Sequence, residues 1–367
     1  MKRIKILSLI LFLLFISACA PVYTINHSVP VNPVSLPEDG AAHYWAQTEW
    51  WYYTGHLKGD DGKDYGYELT FFKRITNEDK VPEIFIPVPA HWFKDVPMIG
   101  HFALTDITDK KYDVKEVNNF FSQVKADDKK YDVKVQKWTG REENGKQLLH
   151  AEMNDCSLDL ELEPVKPAAL HGGNGILNKG GLHSNYYYSF TNMKTTGKLS
   201  CEDKENRSVR VEGKSWMDHE YGTMKLAYPQ VGWDWFSVQL DNNHELMLYS
   251  IRDDKDSKND HVGGTFVLPD GKTVMIAQDD IDIRVLDYWH SDKTDSLYPN
   301  LWEVSVRSLD LKLTLNPYIK EHEINLKPIP YWEGSVKITG TLKDTPVQGE
   351  GYVELTGYSK KYPLQMF

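Results

Sequence analysis

The segment EWWYYTGHL, residues 49–57, decides the fold because its pattern occurs twice in the chain. It is followed by YELTFFKR, and residues 232–252 repeat the arrangement as GWDWFSVQL followed by HELMLYSIR. Each copy has a tryptophan-rich run, a polar turn and a second run that opens with Glu-Leu. Alternating runs bounded by polar turns are typical of antiparallel hairpins, so we expect one hairpin in each copy.

Further matches follow these hairpins in the same order along the chain. GHFALTD resembles GTFVLPD, SLDLEL resembles SLDLKL, Tyr188 matches Tyr331, and WMDHEYG matches YVELTG. Colinear matches of this kind indicate an internal duplication. We therefore predict an all-β protein with two similar antiparallel domains, residues 42–225 and 228–367, each closed into a barrel or folded into a sandwich.

The first residues indicate export. A basic start precedes an apolar run, residues 6–16, that is too short to span a bilayer comfortably and is typical of a secretory signal. The sequence Ile-Ser-Ala-Cys that follows resembles a bacterial lipobox. It predicts a signal peptide over residues 1–18, a lipidated Cys19 and a flexible tether to residue 41. The alternative is an ordinary signal peptide in which Cys19 is incidental.

The residue after Cys19 bears on the membrane that the chain would reach. Ala20 occupies this position rather than Asp. By resemblance to Gram-negative lipoprotein sorting, this favours the outer membrane, with the protein facing the periplasm. Several acyl chains on one cysteine form a firm anchor.

Composition narrows the classes of partner. The net charge is −11 and no block of Lys and Arg is present, which argues against nucleic acid as a partner. The chain has 11 Trp and 21 Tyr, which suit either the packing of β-sheets or an aromatic pocket.

Two cysteines remain beyond the signal. Cys156 opens the SLDLEL strand, and Cys201 follows the end of the next predicted strand. In antiparallel neighbours the start of one strand faces the end of the next, so a disulfide is geometrically reasonable in an oxidising periplasm. Two reduced, buried thiols are the alternative.

Together, EWWYYTGHL, HFALTD, LHGGNGILNKGG, WMDHEYG, GWDWFSVQL and ELMLYSIR resemble the AttH/CrtC-type lipocalin-like family over most of the chain after the tether. The resemblance implies two lipocalin-like antiparallel β-barrels packed together. It also implies a hydrophobic ligand, often a polyene. Some members hydrate the terminal alkene of acyclic carotenoids, and some are encoded beside ABC transporter genes, which implies an envelope transporter as a partner.

The strand WMDHEYG divides its side chains between two faces, because successive residues of a strand point in opposite directions. Trp216 and Asp218 share one face, and His219 and Tyr221 share the other. The second copy has Tyr352 and Glu354 at the positions of Trp216 and Asp218, which favours an architectural role for that aromatic and that acid. It has Leu355 opposite His219, so the imidazole is unique to the first copy.

Alkene hydration needs a proton donor, surroundings that tolerate a carbocation, and a positioned water. A carboxyl group in an apolar pocket, aromatic faces, and a His or Tyr can supply these parts. We predict catalytic roles for Asp218 as the acid and for His219 and Tyr221 as helpers. The residues predicted to bind the ligand are Trp51, Tyr53, Trp216, Trp233, Asp234, Trp235 and Tyr249.

Three further features bear on this site. The resemblance implies an acid close after a Tyr on the second hairpin, but Tyr249 is followed by Ser-Ile-Arg, which departs from the hydratase pattern. Asp234 needs a buried partner, for which Arg252 or His219 is expected. His171 and His183, in the Gly-rich stretch, are expected at the rim of a pocket.

Other chemistries find no support in the sequence. The run Asp-His-Glu has no second His at the spacing of a zinc motif, so no metal site is predicted, and no cofactor is expected. No Gly-x-Ser-x-Gly is present, which argues against a serine hydrolase. The main prediction is a lipid-anchored protein that binds a hydrophobic ligand in or between the two barrels, and the alternative is an alkene hydratase, isomerase or cyclase. The clustered aromatic residues favour both over an assembly factor for an envelope transporter.

Overall fold

The computed structural model describes residues 32–74, 97–119, 123–154, 156–180, 184–201, 207–222, 230–253, 260–326 and 330–359. The predicted signal peptide, Cys19, His183 and the predicted domain junction at residues 225–228 lie outside the described residues. What is described is almost entirely β-strand, with short 3-10 helices at Glu38–Gly40, His171–Gly173, Gln278–Asp280 and Arg307–Leu309. No described helix is long and apolar enough to cross a bilayer.

The first sheet contains the strands of the first copy, in the order β4-β3-β2-β1-β13-β12-β9-β8-β7-β6-β5, and β10 and β11 pair with β12. It curls until β3 and β4 contact β6 across its interior. Its strands are β1 (Thr48–Gly59), β2 (Asp64–Arg74), β3 (Met98–Asp106), β4 (Lys111–Asn119), β5 (Val124–Ala126), β6 (Asp132–Val135), β7 (Trp138–Glu143), β8 (Lys146–Met153), β9 (Cys156–Pro164), β10 (Ala169–Leu170), β11 (Ile176–Asn178), β12 (Ser184–Cys201) and β13 (Arg207–Gly222).

The second sheet has the order β17-β16-β15-β14-β23-β22-β20-β19-β18, with β21 on β22. Its strands are β14 (Gln230–Leu240), β15 (Glu245–Asp253), β16 (His261–Val267), β17 (Thr273–Ile276), β18 (Ile281–Ser291), β19 (Ser296–Val306), β20 (Leu311–Pro317), β21 (Glu323–Ile324), β22 (Tyr331–Leu342) and β23 (Thr345–Leu355). This order repeats that of the first sheet, with β14 in place of β1 and β23 in place of β13. The prediction of an all-β fold built from an internal duplication is confirmed.

The strand register corrects part of the alignment between the copies. Thr54 lies opposite Glu68 on β2, whereas its counterpart Ser237 lies opposite Met247 on β15. Glu68 therefore corresponds to Met247 and not to Glu245, as the shared Glu-Leu had indicated. A shift of two residues keeps every side chain on its face, so the hydrophobic pattern alone cannot detect it.

A β-bulge shifts another match by one residue. Tyr188 lies opposite His219, and in the second sheet Trp332 lies opposite the corresponding Leu355. Tyr188 therefore corresponds to Trp332 and not to Tyr331. The register of β12 changes between Phe190 and Met193, where the first copy has one additional residue.

Each curled sheet encloses its own hydrophobic core. The first core contains the inward-facing side chains of β1, such as Trp51 and Tyr53, and the second contains Phe236, Trp302 and Trp332. Cys156 and Cys201 lie opposite each other on β9 and β12 and form a disulfide.

The outer faces of the two sheets pack together along a layer that we call the seam. An aromatic cluster with members from both sheets fills part of it: Tyr52, Leu177, Tyr187, Trp216, Trp235, Met247, Tyr249, Ile251 and Tyr352. Hydrogen bonds also cross it. Gln239 Nε2 donates to the carbonyl oxygen of Thr191 at 2.7 Å, and Lys166 pairs with buried Glu245 at 2.7 Å. The seam therefore holds the two copies together.

Candidate functional site

Strand β13 separates the three predicted catalytic residues. Alternation along the strand points Asp218 into the seam, together with Trp216 and Glu220, whereas Met217 and its alternate neighbours point into the first barrel. Asp218 therefore does not share a site with His219 and Tyr221. The structure defines two polar regions on opposite sides of one strand.

The Asp218 carboxylate is almost completely buried and accepts three hydrogen bonds. Tyr187 Oη donates to Oδ2 at 2.7 Å, and Trp216 Nε1 donates to Oδ1 at 2.6 Å. Ser189 Oγ also donates to Oδ1. Burial raises the pKa of Asp218 to about 6, while the three donors oppose that rise. Because all three groups donate, they stabilise the ionised carboxylate, so Asp218 is better placed to accept a proton than to donate one.

His171 extends this network and is not at a rim as expected. It is fully buried, with Nε2 at 2.7 Å from Ser189 Oγ and Nδ1 at 2.9 Å from Thr265 Oγ1. Burial lowers the pKa of His171 to about 3, so the ring is neutral. Since Ser189 donates to Asp218, it accepts from His171 Nε2–H, which leaves Nδ1 of the neutral ring beside Thr265 Oγ1, whose hydroxyl also lies 3.6 Å from Met275 Sδ. His171 and Ser189 thus connect the second sheet to Asp218.

Aromatic rings from both sheets surround the carboxylate. Trp216 and Tyr52 each meet Trp235 edge-on, with ring centroids 6.1 and 5.2 Å apart. Trp235 Nε1 donates to Tyr187 Oη at 3.0 Å, which joins the second sheet to the Asp218 network. Of the residues predicted to bind a ligand, Trp216, Trp235 and Tyr249 belong to this cluster and Trp233 packs against it. Their faces can stabilise a nearby cation.

Lys179 provides a positive charge at this end of the seam. Its Nζ lies 2.6 Å from Glu220 Oε2 and over the rings of Tyr187 and Tyr249, at 4.8 and 5.7 Å from their centroids. Lys179 lies in the segment LHGGNGILNKGG and was not among the predicted site residues. A lone Lys in a Gly-rich stretch carries no signal of such a role.

Three buried or half-buried carboxyl groups of the seam were not predicted as site residues: Glu68, Glu333 and Glu354. In the sequence, Glu354 stands out only as the counterpart of Asp218, and Glu68 only as part of the repeated Glu-Leu. Glu333 belongs to no recognisable motif. They come together because β2, β22 and β23 meet across the seam, which sequence spacing cannot reveal.

His219 belongs to a separate network inside the first barrel. Its Nε2 lies 2.8 Å from Glu49 Oε1 and its Nδ1 lies 3.0 Å from Tyr188 Oη. Glu49 also pairs with Lys73 Nζ at 2.7 Å and with His43 Nδ1 at 2.9 Å. The Lys73 charge is the largest cause that lowers the pKa of Glu49, against its desolvation. Both ring nitrogens of His219 therefore have a partner within the first barrel.

The same network is the place to test for a metal site. His43, Glu49 and His219 each offer one ligand atom, and these atoms lie within 4.8 Å of one another. A divalent cation there would have to coexist with the buried ammonium group of Lys73, which contacts the same carboxylate. The donor set therefore suits an internal salt bridge better than a metal ion.

The other predicted residues of this side are packed against the network. Tyr221 stacks on His43 with ring centroids 3.7 Å apart, and Trp51 stacks on His219 at 4.7 Å. Tyr53 Oη bonds to Tyr131 Oη at 2.7 Å. These three aromatics form part of the first barrel's interior and do not line the seam.

Asp234 occupies a third location. It pairs with Arg252, as one of the two expected partners, and accepts a hydrogen bond from Tyr358 Oη at 3.1 Å. Burial raises the pKa of Asp234 while Arg252 opposes the rise. His219 is not its partner, because that imidazole is directed into the first barrel.

At its opposite end the seam opens into a groove of about 680 Å³. Both sheets line it, with charged and polar side chains prominent among them: His56, Lys58, Asp64, Lys194, Glu212, Lys214, Gln239, Asp241, Tyr318, Lys337, Gln348 and Glu350. Its lining differs from the apolar cavity expected of a polyene binder. The aromatic end is therefore the better candidate for an apolar ligand.

Comparison with known proteins agrees with this architecture. The model of the AttH-like family matches residues 27–358. The chain belongs to the AttH-like family. The resemblance seen in the sequence is thereby confirmed.

Two curated relatives of this AttH-like chain have names that state an activity. Kievitone hydratase of Fusarium solani subsp. phaseoli is 21% identical over 283 residues, covering 73% of this chain and 77% of that protein. The dehydratase asqC of Emericella nidulans is 23% identical over 211 residues, covering 55% and 58%. The named relatives are thus a hydratase and a dehydratase.

Solved structures show the same fold. A putative AttH from Nitrosomonas europaea is 28% identical, with a TM-score of 0.79 over 91% of this chain and 100% of that one. Kievitone hydratase from Nectria haematococca superposes with a TM-score of 0.71 at 14% identity, over 93% and 97%. Two paired lipocalin-like sheets are therefore common to these proteins.

Proposed function

We propose that this AttH-like protein is a hydro-lyase that adds water to an apolar alkene, or removes it, in the aromatic end of the seam. The observation that carries the proposal is the buried Asp218 carboxylate, which three donors hold among aromatic rings of both sheets. The names of the hydratase and dehydratase relatives support the same reaction class. Binding of a hydrophobic ligand becomes the first step of this reaction.

In the proposed hydration, a proton adds to one alkene carbon and leaves a carbocation on the other. The rings of Trp216 and Trp235 would stabilise that charge. Asp218 would orient the attacking water and take its proton as the C–O bond forms. Tyr187, Ser189 and His171 act through Asp218 and are positioning residues.

Isotope transfer tests this proposal. The full-length protein in detergent is incubated in H₂¹⁸O with lycopene or a prenylated phenol, which both carry trisubstituted alkenes, and the products are analysed by mass spectrometry. We expect ¹⁸O in the product of the wild-type protein and a loss of roughly 10²–10⁴-fold in Asp218→Asn. His219→Gln is the matched control and should keep its turnover.

Two results would overturn the assignment. If Asp218→Asn turns over substrate as fast as the wild type, Asp218 is not the base. If Asp218→Asn and His219→Gln lose turnover equally, β13 has only a structural role. Melting temperatures of both variants separate loss of chemistry from loss of fold.

We also propose that the chain works at the bacterial envelope as an outer-membrane lipoprotein. Support comes from the signal-like start and from the lipobox that ends at Cys19. Labelled palmitate should be incorporated into the wild-type chain and not into Cys19→Ser. Label in both chains would exclude Cys19 as the anchor.

A further inference from the structure

The seam contains a group of three carboxyl groups that the proposed base does not explain. Glu333 and Glu354 lie directly opposite each other on β22 and β23, so both point to the same face. Glu68 reaches the same layer from β2 of the first sheet, and its charge acts on Glu333. We call Glu68, Glu333 and Glu354 the seam acids.

Polar contacts satisfy the seam acids only in part. Tyr52 Oη, from the first sheet, donates to Glu333 Oε1, and Thr70 Oγ1 donates to Glu68 Oε1. Glu68 Oε2 is buried and has no hydrogen-bond partner among the described residues. Three carboxylates in one buried layer cannot all be ionised, because their repulsion and desolvation would far exceed what these few donors return.

The surrounding charges do not relieve this repulsion. Burial raises the pKa of Glu354 to about 7, and the charges of Asp218 and Glu220 add to the rise, while the hydrogen bond from Trp233 and the charge of Lys179 oppose it. Burial, followed by its carboxyl neighbours, raises the pKa of Glu333, and burial raises the pKa of Glu68 to about 8. At neutral pH Glu68 and Glu333 are therefore mainly protonated, and Glu354 is protonated in a large fraction of the molecules.

Exposure distinguishes the three groups. Glu68 and Glu333 are 1% and 2% exposed, whereas Glu354 is half-buried. Glu354 lies opposite Trp235 on β14 and accepts a hydrogen bond from Trp233, which is also half-buried. Of the three, Glu354 is the acid that a molecule entering the aromatic end of the seam can reach.

We propose that Glu354 is the proton donor of the reaction, with Glu333 beside it on the same face of the sheet. This rests on the proposed function. The Glu354 O–H bond breaks and its proton forms a C–H bond with the alkene π pair, which leaves the carbocation. Water then forms the C–O bond and gives its proton to Asp218. Asp218 releases that proton to solvent, and Glu354 takes one up.

The experiment has two readouts, of which the first needs no substrate. Infrared difference spectra of the full-length protein at pH 7 report the C=O stretch of protonated carboxyl groups. We expect this band to shrink in Glu354→Gln and Glu333→Gln. Glu212→Gln changes an exposed acid at the far end of the seam and should leave the band unchanged.

The second readout is turnover in H₂¹⁸O. Glu354→Gln should lower it by roughly 10²–10⁴-fold with an unchanged melting temperature. Glu333→Gln should keep turnover, because burial and the charges of Asp218 and Glu220 raise the pKa of Glu354. A loss in Glu333→Gln equal to that in Glu354→Gln would overturn the assignment of the donor role to Glu354.

The outcomes separate this inference from the proposed function. If Asp218→Asn is inactive and Glu354→Gln is fully active, the hydro-lyase stands and Glu354 is not its donor. An infrared band that is identical in wild type and Glu354→Gln also overturns the donor role. If the wild type incorporates no ¹⁸O, the proposed function fails and the donor role with it.

Discussion

The two faces of β13 place similar side chains in contrasting surroundings. On the interior face, His219 contacts Glu49, whose charge is matched by buried Lys73. On the seam face, Asp218 accepts hydrogen bonds from three neutral donors and lies close enough to Glu354 for their charges to interact. One face has balanced charges, and the other has an excess of acid.

This difference indicates where chemistry can occur. In the interior network the opposite charges of Glu49 and Lys73 already pair within the protein. A layer of acids with raised pKa values, lined by aromatic rings and half-buried at Glu354, is suited to proton transfer. His219, the imidazole that only the first copy has, lies in the interior network of paired charges.

The interior network should contribute most to stability. Glu49→Ala leaves Lys73 buried without a counter-charge, and we expect a loss of about 3–5 kcal/mol in the free energy of unfolding. Urea denaturation measures it. Lys146→Gln, which breaks an exposed pair with Glu161, is the control and should cost less than about 1 kcal/mol. Equal effects of the two variants would contradict the contrast between the faces.

The two faces should respond to pH with opposite signs. The pKa of Asp218 is raised from 3.8 to about 6, so its contribution is fully present below pH 3.8 and is lost as the pH rises through 6, by roughly 3 kcal/mol. The pKa of Glu49 is lowered from 4.5, so its contribution is lost as the pH falls below that value.

Single-residue variants separate the pH dependence of stability due to Asp218 from that due to Glu49. As the pH rises from 4 to 7, the unfolding free energy of Asp218→Asn should increase relative to that of the wild type. Over the same interval, the unfolding free energy of Glu49→Gln should decrease relative to that of the wild type. Denaturant titrations at several pH values provide the measurement. Slopes of the same sign would show that one face dominates both.

His219→Leu copies the residue that the second sheet has at this position, Leu355. It removes a partner from buried Glu49 and from Tyr188, so we expect a loss of about 1–3 kcal/mol. Turnover should be unchanged when the protein is assayed below its melting temperature. If His219→Leu is folded but inactive, His219 takes part in catalysis.

Trp235→Phe should have the smallest effect. It keeps an aromatic ring in the seam and removes the N–H that donates to Tyr187 Oη. We expect a loss of about 0.5–1.5 kcal/mol in the free energy of unfolding, measured by denaturation. A loss of several kcal/mol would show that packing of the indole, and not this hydrogen bond, holds the seam at that point.

The sequence determined the fold class, the duplication and the division of β13 into two faces, since each depends on local alternation and on repeats along the chain. It also paired Trp216 with Tyr352 correctly, since these residues lie opposite the matching Thr54 and Ser237. The match between the second strands of the two hairpins was wrong by two residues, because Glu68 corresponds to Met247. A shift of two residues leaves the alternation unchanged, so the sequence could not reveal it.

Only the tertiary structure decided which groups meet. The encounter of Glu68 with Glu333 and Glu354, and of His171 with Thr265, depends on how two sheets pack face to face. Residues joined in this way lie far apart along the chain, and no periodicity records their contact. Burial and neighbouring charge, which decide whether a carboxyl group keeps its proton, arise at that level, and so does the candidate site.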